Sequence, residues 1–352
     1  MLIKKPFLTL IVVLFVVAAI VYIESQKPKI NQMQKTISED KSKYPKAQDF
    51  VGIERWINSE PLKIEQLKGN VVLVDFWTYT CINCIRTLPY LKEWDKKYRD
   101  KGLVIIGVHT PEFEFEKKYE NVLKAVNEYQ IKYPVAQDNN YATWSLYQNR
   151  YWPHKYLIDM DGYIRYDHIG EGAYDETETM IHLLLNERIE RSNQKNEINI
   201  NLSKPKEAVD VDYFNVRTPE IYFGYQFSRG NFGNQEGLKP NQIIEYKFSK
   251  SIVPNNAYIE GKWKNNADNM ELVSDEGSIL LIFKAKTVNI VAGSENSSEA
   301  FVFLDNEFLN ESISNIKEFK LYNLADAEDY DTHSINVNIV GKGFKIFTFT
   351  FG

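Results

Sequence analysis

The sequence predicts an α/β domain followed by an all-β domain, preceded by one apolar segment at the N-terminus. Between residues 46 and 190, apolar runs typical of buried strands alternate with patterns of helical period. From residue 207 to 352, short strand candidates are separated by turn residues. Polar stretches at residues 24–45 and 191–206 lie between these parts, and we interpret them as linkers.

The apolar segment has the length of a membrane anchor. Lys4 and Lys5 precede an uncharged, mostly apolar run at residues 6–23. As a helix this run would extend roughly 27 Å, close to the ~30 Å hydrocarbon core of a bilayer. It is longer than the apolar region of a cleavable signal, and residues 22–24 lack the small side chains of a cleavage site. We therefore predict a single-pass anchor at residues 1–23 in the cytoplasmic membrane, with the domains on the extracytoplasmic side. A cleaved signal peptide is the alternative.

Within the α/β domain, strands and helices alternate before a final hairpin and helix. Buried strands are expected at residues 70–77 and 102–110 because both runs are predominantly apolar. Helices are expected at residues 84–98 and 119–131, where apolar residues recur on one face. An Asp-Gly pair within residues 155–170 is a strong hairpin signal. A capped helix then completes a layered α/β domain.

The all-β domain is predicted to be a sandwich of jelly-roll type. Its strand candidates are short, and several alternate apolar and polar residues. They are IIEYKF, AYIEGKW, SILLIFKA, TVNIVAG, AFVFLDN, FKLYNL, SINVNIV and FKIFTFTFG. Tyr222, Tyr225 and Trp263 are candidates for stacking on sugars if they are exposed. The alternative is that they fill the core or the domain interface.

Charge and cysteine content restrict the function further. A net charge of −6 gives no basic surface for nucleic acid. Cys81 and Cys84 are the only two cysteines in the chain. A structural disulfide at this spacing would close almost no loop, and the scattered histidines do not complete a zinc site. A peroxidase with a Thr-x-x-Cys element would need a proline where this chain has Val74.

Redox exchange is the interpretation that fits the position of the two cysteines. Cys81 is expected at the N-terminus of a helix, where partial positive charge and free N–H groups stabilise a thiolate. Cys84 lies one turn further along and is close enough to resolve a mixed disulfide. We therefore predict a redox-active Cys81–Cys84 pair, no metal site and no other cofactor.

Several segments also match the motifs of a known family. They are VDFWTYTCINCIRTLPYL, GVHTPEFEFEK and NRYWPHKYLID, with TPEIYFGY and FTFTFG near the C-terminus. Through these segments the chain resembles the thioredoxin-like, TlpA/ResA-type extracytoplasmic thiol-disulfide oxidoreductases, and specifically their DipZ branch. The resemblance covers nearly everything from residue 46 to 352. It implies a thioredoxin-like fold for the α/β domain and a β-sandwich similar to carbohydrate-binding modules for the all-β domain.

The resemblance assigns roles to individual residues. It makes Cys81 the nucleophile, Cys84 the resolving thiol and Asp75 a buried acid that relays protons to Cys84. Pro153 is expected to be a cis-proline that faces the disulfide. The backbone at Trp152 is expected to pair with an extended segment of the substrate.

Three further residues flank the two cysteines. Trp77 is expected beside the site, either against the substrate or as a packing wall. Ile82 and Asn83 lie between the cysteines and are expected to tune the reduction potential. The acidic, aromatic stretch PEFEFEKK at residues 111–118 is either a partner-recognition loop or a solvated loop.

The function implied by this resemblance is a membrane-anchored reductase of disulfides in exported proteins. Apocytochromes c are the leading substrate class, in cytochrome c maturation. Because one apolar span cannot carry electrons across the membrane, a separate CcdA-like membrane protein is expected as the electron donor. The alternatives are a disulfide-forming oxidase or isomerase, and a protein that binds the cell wall or a glycan and has a secondary redox domain. Electron direction, substrate, ligand of the sandwich and oligomeric state stay open at this stage.

Overall fold

The computed structural model describes residues 41–192, 198–309 and 313–352. The predicted anchor and most of the first predicted linker lie outside these described residues. Within the described part of the chain, no helix combines the length and apolar character needed to cross a bilayer.

The first domain is built on a six-stranded mixed sheet. Its strands are β1 (Arg55–Ile57), β2 (Val71–Trp77), β3 (Leu103–His109), β4 (Val135–Gln137), β5 (His154–Ile158) and β6 (Ile164–Ile169). They lie in the order β1-β4-β3-β2-β5-β6, with β2, β3 and β4 parallel and the other pairs antiparallel. Every residue of the central strand β2 is buried, because side chains pack on both faces of the sheet. The strands and the hairpin predicted for this domain are confirmed.

Helices cover both faces of this sheet. They are α1 (Ile82–Tyr98), α2 (Tyr119–Glu128), α3 (Ala142–Leu146) and α4 (Tyr174–Arg191). Leu88 and Trp94 of α1 belong to a core on one face, and Trp144 of α3 packs with Phe76 in a separate core on the other face. The α1 helix starts directly after β2 and a short turn, so the cysteines lie at the end of a buried strand.

The second domain is all-β, as predicted, but its sheet is continuous. Its strands are β7 (Ile221–Tyr222), β8 (Ile243–Tyr246), β9 (Tyr258–Asn265), β10 (Met270–Leu272), β11 (Glu276–Lys284), β12 (Thr287–Ser294), β13 (Ser298–Leu304), β14 (Glu307–Phe308), β15 (Ile313–Ile316), β16 (Lys320–Asp326), β17 (Thr332–Val340) and β18 (Phe344–Phe351). They form one twelve-stranded sheet instead of two separate sheets. The reason is that β9 joins two groups of strands. It pairs with β11, which continues to β17, β13 and β14, and it also pairs with β10, which continues to β18, β12 and β16. Residues from both halves share one core, for example Val337 and Phe349, so the sheet curls around it.

The stretch PEFEFEKK fastens the two domains together. Phe113 and Phe115 are only 1% and 7% exposed. Their ring centroids lie 5.1 and 4.7 Å from that of Phe347 in β18. The Glu116 carboxylate accepts hydrogen bonds from the Thr80 hydroxyl and from the Phe113 backbone N–H, which ties the stretch to the turn before α1. The solvated-loop interpretation is therefore wrong for these aromatic side chains.

The aromatic residues considered for sugar stacking are mostly enclosed. Trp263 is 0% exposed and Tyr222 is 6% exposed, so both pack in the core or at the domain interface. Tyr225 is half-buried. Neither Trp263 nor Tyr222 can present a free ring face to a glycan in this structure.

We expect Phe113→Leu to lower the free energy of unfolding by about 1 kcal/mol, because a buried ring at the domain interface is replaced by a smaller side chain. A urea titration followed by tryptophan fluorescence measures this change. Phe214→Leu is the matched control, since Phe214 is 76% exposed and surface substitutions usually stay within about 0.5 kcal/mol. Equal midpoints for the two variants would contradict the anchoring role of Phe113.

Candidate active site

Cys81 and Cys84 are placed differently with respect to solvent. Cys81 is half-buried and is the N-cap residue of α1, whereas Cys84 is only 1% exposed in the first turn of that helix. Both are free thiols, and the Cys84 backbone N–H donates a hydrogen bond to the Cys81 Sγ at 3.2 Å. A substrate can therefore reach Cys81, and Cys84 is positioned behind it.

The acidity expected for Cys81 is present only as a local effect. Burial raises the pKa of the Cys81 thiol, its contacts with Cys84 lower it, and Glu220 and Glu112 raise it further. The net pKa of Cys81 lies above the ordinary value, because burial outweighs the contacts at the helix end, which lower the pKa as predicted. Burial also raises the pKa of Cys84, well above its ordinary value, with Cys81 and Asp75 adding to the effect. Because the thiolate is the reactive form, each thiol needs a nearby group that can accept its proton.

Asp75 and Lys155 form a buried pair of opposite charge behind Cys84. They face each other on the antiparallel strands β2 and β5, and each is only 1% exposed. Burial raises the pKa of Asp75 to about 7, and the positive charge of Lys155 opposes that rise. The Lys155 ammonium donates a hydrogen bond to the Gly170 carbonyl at 3.0 Å. An acid with a pKa near neutrality beside a thiol is suited to proton transfer.

Lys155→Met should move the ionisation of Asp75 to higher pH. The lysine charge lowers the pKa of Asp75, so its removal leaves burial less opposed. We expect the pH midpoint of the second exchange step to rise above about 7 in this variant. Stopped-flow measurement of thiol release across pH tests this, with Lys132→Met, at an exposed position, as control. An unchanged midpoint would show that Lys155 does not act on Asp75.

The segment before β5 has the predicted backbone geometry. The Trp152–Pro153 peptide bond is cis, which confirms that prediction. The Trp152 indole N–H donates a hydrogen bond to the Thr110 carbonyl at 3.0 Å, and its ring packs 4.2 Å from that of Trp144. Trp152 is thus held in place next to the cysteine pair. Its predicted pairing with substrate stays a prediction.

A cavity of about 270 Å³ lies in front of Cys81 and is shared by the two domains. The first domain contributes the cysteine, Trp152 and nearby residues, and the second domain contributes side chains from β7, β12 and β18 and from the segments next to β7. The lining residues are Thr80, Cys81, Asn83, Glu112, Arg150, Tyr151, Trp152, Glu220, Tyr222, Arg229, Val291, Thr348 and Thr350. Any substrate that reaches Cys81 through this cavity must pass the second domain.

The remaining predicted residues are distributed around this cavity. Asn83 lines it, whereas Ile82 borders a separate groove beside α1. Trp77 is 0% exposed and packs edge-on against His109 at 5.4 Å, so it acts as packing and does not reach a substrate. Sequence reasoning gave Lys155 no role, considered Glu112 only as part of the PEFEFEKK stretch, and considered Tyr222 only as a sugar-stacking or packing residue. The only sequence signal for Lys155 was a lysine directly before the apolar residues 156–158 of a strand.

One group of carboxylates elsewhere in the first domain has the spacing of a cation site. Asp159, Asp161 and Glu187 converge, but the Lys41 ammonium lies 2.5 to 2.8 Å from all three. Arg165 contacts Asp159 at 2.9 Å as well. The cluster therefore fastens the start of the domain to the β5–β6 hairpin and α4.

Comparison with known proteins agrees with this geometry. Residues 43–181 match the model of the Redoxin family, and residues 218–352 match the family described as thioredoxin-like C-terminal domain. ResA, a thiol-disulfide oxidoreductase of Bacillus thuringiensis, is 31% identical over 122 residues, which cover 35% of this chain and 68% of ResA. The chain belongs to the thioredoxin-like thiol-disulfide oxidoreductases. YkuV of Bacillus subtilis, another thiol-disulfide oxidoreductase, is 25% identical over 40% of this chain and 93% of its own length.

The similarity to DipZ extends over both domains of this oxidoreductase. DipZ of Mycobacterium bovis is 35% identical over 311 residues, or 87% of this chain. The chain spans 43% of the length of that relative. Since the shared region includes the second domain, the combination of a redox domain with this all-β domain is common to both proteins.

Proposed function

We propose that this thiol-disulfide oxidoreductase reduces disulfide bonds of exported proteins, anchored by residues 1–23 on the extracytoplasmic side of the cytoplasmic membrane. The observation that carries the proposal is the arrangement of an accessible Cys81 in front of a buried Cys84 and Asp75. One thiol is open to attack on a substrate, and the other is shielded until a mixed disulfide exists.

The reaction follows from this arrangement. The Cys81 thiolate attacks one sulfur of the substrate disulfide, and the other substrate sulfur leaves with the electron pair. Asp75 accepts the proton of Cys84, whose thiolate then attacks the Cys81 Sγ. The second substrate sulfur is released, and the enzyme is left with a Cys81–Cys84 disulfide. The protein thereby loses two electrons and the substrate gains them.

The partners follow from the same proposal. Oxidised exported proteins are the substrate class, with apocytochromes c first among them. A CcdA-like membrane protein is the proposed source of electrons for the Cys81–Cys84 disulfide, because the reductase must be reduced again after each turnover. A cell-wall glycan as ligand of the second domain stays a prediction without a stacking surface at Tyr222 or Trp263.

The reduction potential of the Cys81–Cys84 pair tests the direction of electron flow. We expect a value near or below about −250 mV in the soluble fragment from residue 46 onward, as in thioredoxin. Equilibration with glutathione or dithiothreitol buffers, followed by mass spectrometry of alkylated thiols, gives this value. A potential near about −120 mV, typical of a strong oxidant, would overturn the proposal in favour of disulfide formation.

A further inference from the structure

Three polar side chains meet at the domain boundary in front of Cys81. Glu112 comes from the first domain, and Glu220 and Tyr222 come from the second. The Tyr222 hydroxyl lies 2.8 Å from Glu112 Oε1 and 3.1 Å from Glu220 Oε2. A phenol has a single proton to donate, so it can donate to only one of the two carboxyl groups. The second contact becomes a hydrogen bond when that carboxyl group carries a proton of its own. Both contacts of Tyr222 are therefore satisfied when this group holds one additional proton inside the cavity that Cys81 lines.

The surroundings favour Glu112 as the group that carries this proton. Burial, together with the neighbouring Glu116 and Glu220, raises the pKa of Glu112 to about 8, although Tyr222 and Arg229 lower it. Tyr141 also lies close enough to Glu112 for the two to interact electrostatically. Arg150 and the Cys81 thiol line the same cavity. Because an alkyl thiol has a pKa of about 8.5, a carboxyl group in this range is matched to proton exchange with thiols.

The Tyr222 side chain is fixed from several sides. Its ring centroid lies 6.3 Å from that of Phe113 and 6.2 Å from that of Phe227, and the Arg229 guanidinium lies 4.5 Å from its ring centre. The segment of Glu112 is itself anchored, since the Glu112 backbone N–H donates to Glu116 Oε2 at 2.6 Å. Neither the hydroxyl nor the carboxyl group can move far without breaking the domain interface.

We propose that Glu112 is the general acid for the substrate thiol released at Cys81, and that Tyr222 of the second domain is its positioning residue. The inference rests on the proposed reductase function and extends it, because it gives the second domain a part in the chemistry. Asp75 serves the buried Cys84, and Glu112 serves the solvent side of Cys81.

The proton and electron balance of the first step is complete with these groups. The Cys81 thiol loses its proton to solvent, and its thiolate forms a bond to one substrate sulfur. The substrate S–S bond breaks, and its electron pair stays on the departing sulfur. Glu112 donates its proton to that sulfur, so that a neutral thiol leaves, and the Glu112 carboxylate is protonated again by solvent.

Two disulfides with different leaving groups distinguish this role from a structural one. Cystine releases an alkyl thiolate that needs a proton, whereas 5,5′-dithiobis(2-nitrobenzoate) releases a stable aromatic thiolate that does not. For Glu112→Gln we expect cystine reduction to fall about 10²-fold, the lower end of general acid catalysis. Reduction of the aromatic disulfide should not fall, because the Glu112 carboxylate only raises the pKa of the attacking Cys81. In the wild type, the ratio of the two rates should fall as pH rises through about 8, and in the variant it should stay flat.

Tyr222→Phe tests the positioning role while it keeps the ring contacts. We expect the same selective loss with cystine, smaller than for Glu112→Gln, and a loss of stability of no more than about 1 kcal/mol, as for one hydrogen bond. Tyr225→Phe is the matched control, since the Tyr225 hydroxyl has no hydrogen-bond partner in the described part of the chain. Equal losses with both disulfides would indicate a structural effect and overturn the inference. A wild type that reduces neither disulfide would instead count against the reductase function.

Discussion

Cys81→Ser should abolish disulfide reduction, and Cys84→Ser should stop the protein after a single attack. The reason is the difference in access, because Cys81 is half-buried whereas Cys84 is 1% exposed beneath it. A substrate disulfide can form its first bond only with the reachable sulfur. Without Cys84 the resulting mixed disulfide has no internal thiol to resolve it, so it should accumulate to about one substrate per protein.

Intact-mass spectrometry of each variant after incubation with an oxidised peptide measures this difference. The Cys84→Ser protein should gain the mass of one peptide, and reduction should remove it. The Cys81→Ser protein should gain none, because its remaining thiol is enclosed. A stable adduct on Cys81→Ser would assign the attack to Cys84 and reverse the order of the two steps. The double variant, which has no cysteine left, is the control for adsorption of the peptide.

Much of the fold was predictable because its strongest signals are local. The mostly apolar run of β2 and the helical period of α1 identify a strand and a helix without reference to the rest of the chain. The short elements β1, β4 and α3 were missed, since three to five residues do not establish a period. In the second domain every strand candidate corresponds to a strand, yet their pairing into one curled sheet depends on contacts distant in sequence.

The site likewise combines features that short motifs predict with contacts that depend on distant parts of the chain. The cysteine pair, Asp75 and the cis-proline segment belong to short motifs that can be recognised in the sequence alone. The Glu112–Tyr222 contact joins residues 110 positions apart, and no pattern in either segment announces it. The net pKa of Cys81 could not be predicted for the same reason. The helix end acts locally, but burial, the largest cause of its raised pKa, depends on how the rest of the chain folds around it.

Asp75→Asn should slow the second exchange step about 10²-fold at pH 8, a magnitude typical for the loss of a general base. Asp75 has a pKa of about 7 because of burial, so it is mostly ionised at pH 8 and can accept the Cys84 proton. Asparagine of the same size cannot. In the wild type the rate of this step should rise as pH increases through about 7, and in the variant that rise should be absent. Single-turnover release of the second substrate thiol, measured from pH 5 to 9, gives both results.

The same substitution should change stability with a sign opposite to its effect on rate. The pKa of Asp75 is raised from 3.8 unfolded to about 7 folded, so the folded protein holds this proton more tightly. Its contribution to stability is present at low pH and is lost as pH rises from about 4 to about 7. The wild type should therefore lose up to about 4 kcal/mol relative to Asp75→Asn across that window, at about 1.4 kcal/mol per pH unit.

Urea unfolding at pH 4 and pH 8 measures the change, with Asp100→Asn, at an exposed carboxyl group, as control. A difference independent of pH would mean that Asp75 is ionised already at pH 4, and the acid that serves Cys84 would then have to be another group. A slower but more stable variant would show that the buried carboxyl group is retained for proton transfer at a cost in stability.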